Sequence, residues 1–368
     1  MAVERTTRSQ VLDLSAPAAV EVEIDVAEAA EVLMSICVLG DRDDYDTFDL
    51  GKEWLQARLE AVPPDLMAAV DALMLGNLKV AAHMLGIVLE TPKPRTFASF
   101  FERLQATDGF ELKKHLFACY GNNDSHLSAP AVIERAVGGD AEAKEELLAS
   151  LVEYSAKYES ARTLLEVDGA DLKAQIVEIL PRWYEEVFLP YAPAWREAAE
   201  RDADAKRDLA ASHSPEELTE LVTRGYQYVP PRGIRTLAFF PSWWMRPWVL
   251  VWEHRGTKIF SYPIAPEPEA GASPSEVARV YKALGDEGRL RLLRRLSDGP
   301  LTLGDGAAEL GVAKSTAHHH LAILRQAGFV MVREGDEKVY SLRRDLLPQA
   351  GELLNAYLGS SRSSSTIA

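Results

Sequence analysis

Between positions 314 and 319 the chain gathers Lys314, Ser315, Thr316, His318 and His319, an ammonium, two hydroxyls and two imidazoles. These are donor types that meet phosphate oxygens and base edges: lysine and hydroxyls suit phosphates, and a histidine can donate to either. Arg325 follows further along the same run, placed to reach the nucleic-acid backbone at best, and Arg333 and Lys338 stand beyond it as phosphate candidates. On a helix, where successive residues turn by ~100°, Ala317, Leu321 and Leu324 share one face and belong to a core. Ser315, His319, Ala322 and Gln326 fall roughly opposite, with His318 and Arg325 on a flank. The same geometry keeps His318, His319 and His320 from converging on one metal ion, since helical ligand pairs need a spacing of four. His320 is expected to be partly buried near Leu324.

The elements that position these groups lie in residues 275–358. Ser275 can cap a helix over Glu276–Leu284 and Asp286 one over Arg289–Asp298, which Gly299-Pro300 stops. Leu303–Leu310 ends at Gly311, and Lys314–Ala327 ends at Gly328, glycines suited to the left-handed C-terminal cap. Val330–Arg333 and Lys338–Leu342 read as strands joined through Glu334-Gly335-Asp336-Glu337, and Asp345–Leu358 closes as an amphipathic helix. Helix, short turn, helix and hairpin in that order describe a helix-turn-helix with a wing.

The residues sharpen the pattern. Leu284, Asp286, Arg289-Leu290-Arg291-Leu292-Leu293, Ala308-Glu309-Leu310-Gly311-Val312, Ser315-Thr316, His319-His320-Leu321, Leu324-Arg325, Ala327-Gly328 and Val339-Tyr340-Ser341-Leu342 resemble the ArsR family of regulators. The resemblance implies a repressor that binds duplex DNA as a homodimer on a near-palindromic operator. It further implies that the helix 314–327 enters the major groove, that the segment Arg333–Lys338 lies along the backbone, and that the first and last helices of the module build the dimer. Four places depart from the family pattern. Ala313 replaces the usual Ser or Thr cap, Gly306 an apolar residue, and Glu287-Gly288 a Pro-Thr pair, while Glu334, Asp336 and Glu337 make the wing tip acidic. The family's thiolate metal site needs a Cys-x-Cys pair, and Leu301–Asp305 has none. Its zinc-type site needs histidine on the last helix, which offers Asp345 and Glu352 alone. A member that does not sense metal is expected, with no cofactor; any metal response would fall to Cys37, Cys119 or His83.

The rest of the chain is of another kind. Of 368 residues 47% are hydrophobic and 26% charged, the profile of a globular protein of two or three domains. A net charge of −16 opposes DNA binding when taken over the whole chain, but it is unevenly shared. Residues 1–274 carry 27 basic and 45 acidic residues, whereas 275–358 carry 12 and 11. A loose tail over 1–18 and a strand over Val20–Ile24 precede a helical region running from Asp25 to about Ala211. It comprises Val26–Leu39, Lys52–Val62, Pro64–Leu75, Lys79–Val88, Thr96–Gln105, Glu111–Tyr120, Ala141–Leu165 and Asp171–Glu200. Three strands follow, Ile234–Phe240, Trp248–Glu253 and Lys258–Pro263, the middle one apolar on both faces and rich in tryptophan. Pro241-Ser242 reads as a turn between the first two. The fold class is thus mainly α: a helical N-terminal regulatory domain with a small sheet over 19–264, a Pro/Glu-rich linker over 265–274, the winged helix over 275–358 and a low-complexity tail over 359–368. No G-x-S-x-G, H-E-x-x-H, Walker A or G-x-G-x-x-G signature argues for an enzyme. Asp41–Asp46 reads as a solvated acidic loop. Cys37 and Cys119 read as core residues, and the absence of an apolar leader or span predicts a cytoplasmic setting without a membrane partner. The N-terminal domain is expected to sense a small molecule or protein. The alternative is an interaction adaptor whose winged helix binds DNA weakly or not at all.

Overall fold

The protein is described by a computed structural model covering residues 20–74, 80–122, 130–151, 155–231, 233–264, 274–334, 338–344 and 347–360. The expected N-terminal tail, nearly all of the linker, most of the C-terminal tail and the wing tip at 335–337 lie outside these residues. Strand β1 (Glu21–Ile24) leads into α1 (Glu28–Gly40), α2 (Lys52–Ala61), α3 (Pro64–Met74), α4 (Val80–His83), α5 (Leu85–Glu90), α6 (Phe97–Ala106) and α7 (Gly109–Asn122). Then come α8 (Pro130–Val137), α9 (Ala141–Ala149), α10 (Ser155–Glu166), α11 (Gly169–Trp183), α12 (Ala192–Ala210) and α13 (Pro215–Thr223). Strands β2 (Tyr226–Tyr228), β3 (Thr236–Ser242), β4 (Leu250–His254) and β5 (Thr257–Pro263) follow. The C-terminal part is α14 (Pro274–Leu284), α15 (Glu287–Asp298), β6 (Leu301–Thr302), α16 (Leu303–Leu310), α17 (Lys314–Gln326), β7 (Val330–Glu334), β8 (Val339–Leu342) and α18 (Gln349–Ser360).

Among the described residues two four-stranded sheets organise these elements. The first has the order β1-β3-β5-β4, parallel but for the antiparallel β4. Alternation along its strands sends side chains to two cores. Ala238, Phe240, Trp252 and Ile259 join the core of the helical layer. Ile24, Leu237, Phe239, Phe260 and Tyr262 join a second core, which continues without a break into Val280, Leu292, Leu321, Leu324, Val330 and Tyr340 of the winged helix. The second sheet has the order β2-β7-β8-β6. Three of its strands belong to the winged helix, and β2 comes from the N-terminal part, pairing in parallel with β7 in the register Tyr226↔Val332, Gln227↔Arg333, Tyr228↔Glu334. The two halves of the chain therefore share both a core and a sheet.

Most expected elements are present, and the departures have local causes. The long helix predicted over Asp171–Glu200 is interrupted: a wide turn over Tyr184–Phe188 and a tight one over Leu189–Tyr191 separate α11 from α12. Pro190 supplies no amide to the helical ladder and its ring crowds the carbonyl four residues back. The predicted Lys79–Val88 helix is two short helices, parted at Met84 where ψ is −2°. Pro241 and Ser242 extend β3 instead of turning it. Strand β1 ends opposite Phe239, so from there β3 is paired on one side, where proline is tolerated. The helix α13 was not expected, although Ser214, Pro215 and Glu217 form a full capping box with proline in the first turn. Asp41–Asp46 is not wholly solvated: Tyr45 is buried, its hydroxyl on the Leu39 carbonyl at 2.6 Å, and Arg42 pairs with Asp71.

Gly306 lies buried in α16. A methyl group there would meet side chains of Leu301, Leu321 and Leu292 at 3.5–3.6 Å, ordinary van der Waals distance. Gly306→Ala should therefore add about 1 kcal/mol of helix stability, read as a higher urea midpoint at unchanged slope. Destabilisation would mean that α16 packs too tightly for the added carbon.

Candidate nucleic-acid interface

The helix-turn-helix is α16 and α17. Thr302 and Asp305 form a capping box at the start of α16, and Gly311 closes it in the left-handed conformation, φ 70°. Ala313 then begins α17 from an extended conformation without a side-chain cap. Without a side-chain cap, the first-turn amides of α17 suit an external acceptor, an arrangement that favours an anion. Lys314, Thr316 and His318 are exposed beside them, and Ser315 lies in the same turn. Ala317, Leu321 and Leu324 are buried, as the helical wheel requires. His320 is half-buried, its Nδ1 3.6 Å from Asp286, and burial draws its pKa down.

The opposite face of α17 is not free along its length. Ala322 and Gln326 are buried, and His319 is half-buried with its ring 6.1 Å from that of Trp248, in the turn between β3 and β4. Arg325, expected on the backbone-facing flank, is 7% exposed and donates from Nη1 to the Thr223 carbonyl at 2.9 Å, at the end of α13. It satisfies a helix C-terminus of the N-terminal part, a position favourable to a cation. In this arrangement it does not reach the backbone of a nucleic acid.

The wing shows why one of its acidic residues is there. Glu334 accepts from Lys258 Nζ at 2.6 Å and from the Tyr226 hydroxyl. Burial pushes its carboxyl up, but Lys258 and Tyr226 outweigh it and hold it below the usual carboxylate range. Lys258 is itself buried, with its ammonium 4.9 Å from the Tyr228 ring centre. Glu334 therefore faces the N-terminal part, while Arg333 is exposed on β7 and Lys338 half-buried just before β8. Lys314, Thr316 and His318 thus stand exposed on α17, and Arg333 stands exposed on the wing. On α14, Arg279 reaches Asp49 at 3.0 Å, and the Asp49 amide donates to the Arg246 carbonyl.

Two helices joined through the turn at Gly311 and followed by a two-stranded wing define a winged helix-turn-helix protein. The family model for bacterial regulatory proteins of the arsR family matches residues 286–332. The HTH-type transcriptional regulator CmtR of Mycobacterium tuberculosis is 40% identical over 86 residues, 23% of this chain and 73% of that one. Transcriptional repressor SdpR of Bacillus subtilis is 38% identical over 69 residues, 18% and 77% of the two chains. HTH-type transcriptional regulator NmtR of Mycobacterium tuberculosis is 38% identical over 76 residues, 20% and 63%. The chain belongs to the arsR family, as a DNA-binding transcriptional regulator carrying the family's domain in its C-terminal part.

Of the residues considered for metal, Cys37 is buried in α1, His83 sits with Nδ1 2.7 Å from the Leu116 carbonyl, and the Cys119 side chain lies outside the described residues. Among the described residues a different group converges, Glu90, His115 and His254. No local motif announces it, because its members come from α5, α7 and the end of β4.

The turn bearing Trp248 is anchored by Glu31, fully buried in α1. One Glu31 oxygen accepts the amides of Trp243 at 2.7 Å and Trp244 at 2.9 Å. Burial pushes this carboxyl up to about 7 from 4.5, against the pull of Ser242, the two amides and Arg246. A folded pKa above the unfolded one favours folding in full below pH 4.5, and that contribution is lost as pH rises through 7. Replacing Glu31 by Gln keeps an acceptor and removes the titration. Relative to Glu31→Gln, the natural protein should lose on the order of 3 kcal/mol of stability between pH 4.5 and 8, measured from denaturant midpoints. A constant difference would show that Glu31 titrates alike in both states.

Proposed function

We propose that the chain is a transcriptional repressor that binds a near-palindromic duplex as a homodimer. Lys314, Ser315, Thr316 and His318 meet the major groove, and Arg333 and Lys338 meet phosphates from the wing. The observation that carries this is the exposed, uncapped start of α17 within the segment that matches the family. The relative named a repressor supports the sign of regulation. Dimerisation through α14 and α18 fits their mutual packing and the exposed apolar side chains of Tyr281 and Leu358. No helix among the described residues is long and apolar enough to cross a membrane, and we read the protein as cytoplasmic. The winged helix is read as not sensing metal through its own helices.

The N-terminal part is the regulatory element in this reading. It holds the wing through β2 and Lys258, the end of α17 through Thr223, and the middle of α17 through Trp248. An effector that shifts these contacts changes how α17 is presented. His319 joins the DNA-facing set once Trp248 withdraws. An interaction adaptor is the second reading, favoured by the partial cover over α17; absence of any DNA complex together with a co-purifying protein would select it.

Fluorescence anisotropy with duplex from upstream of the gene provides the test. Lys314→Ala should weaken binding about tenfold and lower the salt slope by about 1, and unchanged affinity and slope would reject the assigned face. Trp248→Ala should strengthen binding about fivefold, the equivalent of ~1 kcal/mol for an aromatic pair. No gain would mean that Trp248 does not compete with DNA.

A further inference from the structure

We propose that Glu90, His115 and His254 form a binding site for a divalent transition-metal ion of the zinc class, in the N-terminal part of the chain. The three side chains come from the end of α5, the middle of α7 and the last residue of β4, and their ligand atoms lie within 4.8 Å of one another. His254 Nε2 is 3.0 Å and His115 Nε2 3.7 Å from the same oxygen, Glu90 Oε1. Ligands of a tetrahedral ion at ~2.1 Å stand roughly 3.4 Å apart, so these two separations bracket that spacing. Gly86, one turn before Glu90, makes room for both rings. A carbon in place of its hydrogen would sit 2.7 Å from His115 Nδ1 and 2.9 Å from His254 Nδ1. The space that a side chain would take on α5 is given to the two imidazoles.

The charges around the site are consistent with an exchange. Glu90 Oε2 is held by Arg103 at 2.8 Å, and Oε1 by Arg255 at 2.6 Å. Arg255 lies in the turn after β4 with its side chain 65% exposed, so it can swing into solvent and yield Oε1 to the ion, while Arg103 continues to orient the carboxylate. An outer partner of this kind supports a ligating carboxylate. Two imidazoles and one carboxylate, without a thiolate, suit Zn²⁺, Co²⁺ or Ni²⁺ better than Mg²⁺, Ca²⁺ or Cu⁺. Three protein ligands leave a further coordination position for water. The bound ion would tie α5 and α7 to the β4–β5 hairpin, on which Lys258 reaches the wing. Metal binding itself does not depend on the DNA-binding reading and is measured without DNA.

The experiment is titration of the full, chelator-treated chain with Co²⁺, followed by visible d–d absorption, and then competition by Zn²⁺. One equivalent should bind and give the spectrum of a four- or five-coordinate ion. His254→Ala and Glu90→Gln should each weaken binding at least ~10-fold, no less than the loss of an outer partner costs. Arg255→Gln changes an exposed residue that competes for Glu90, so it should tighten binding. That variant keeps the proposal testable if the buried ligand variants do not fold. Absence of stoichiometric binding would overturn the site. So would binding that is unaffected by Glu90→Gln and Arg255→Gln and vanishes when His318, His319 and His320 are replaced together.

Discussion

The Lys258 ammonium is buried and must have a partner, and that partner lies on the other half of the chain. Lys258 projects from β5 of the N-terminal sheet and meets Glu334 at the end of β7, the first strand of the wing. Removing either member of such a pair leaves an uncompensated charge, a loss of roughly 3–5 kcal/mol, so the pair fixes the wing against the N-terminal sheet. Around it the backbone does the same: β2 aligns with β7, and Val332 donates its amide to the Gly225 carbonyl at 2.9 Å. Tyr226 adds its hydroxyl to Glu334. The apolar cluster that surrounds these contacts runs from Phe239 and Phe260 to Leu321 and Val330.

Seen from this junction, several departures from the family pattern become intelligible. Glu334 at the wing would weaken a grip on phosphates if it faced DNA; here it neutralises Lys258. Arg325 matches the family pattern, yet here it caps the carbonyl end of α13. The missing cap at Ala313 leaves amide donors at the one end of α17 that stays open. Gly306 has no comparable explanation in the structure, since the side chains around it leave ordinary room for a methyl group.

Much of the C-terminal fold was legible because its signals are local. Asp286, Gly311 and Gly328 delimit helices by chemistry that acts within a few residues. Helical periodicity correctly placed Ala317, Leu321 and Leu324 in the core. Periodicity gives an angle around α17, however, and does not say what stands at that angle. Ala322, Gln326 and Arg325 fall on its outward side by periodicity and are buried in the structure, Arg325 against the end of α13. Strand β2 is three residues long and has no partner nearby in sequence, so its pairing with β7 was out of reach. Glu90, His115 and His254 pose the same difficulty, being joined only by the packing of α5 and α7 on the β4–β5 hairpin. The capping box at Ser214 is different: its signal was local and was there to be read.

The pairing of β2 with β7 has a consequence for modularity. An unpaired strand edge offers a row of open donors and acceptors to any other chain. Here the flank of β7 is occupied from within the same polypeptide. The winged helix is therefore not a self-contained cassette joined by a tether. A C-terminal fragment severed in the linker would keep all of α17 and lose the strand that guards the side of β7. It would also keep Glu334 and lose the lysine that Glu334 answers. The N-terminal part and the winged helix are bound together in one sheet, because β2 of the one completes the edge that β7 of the other presents.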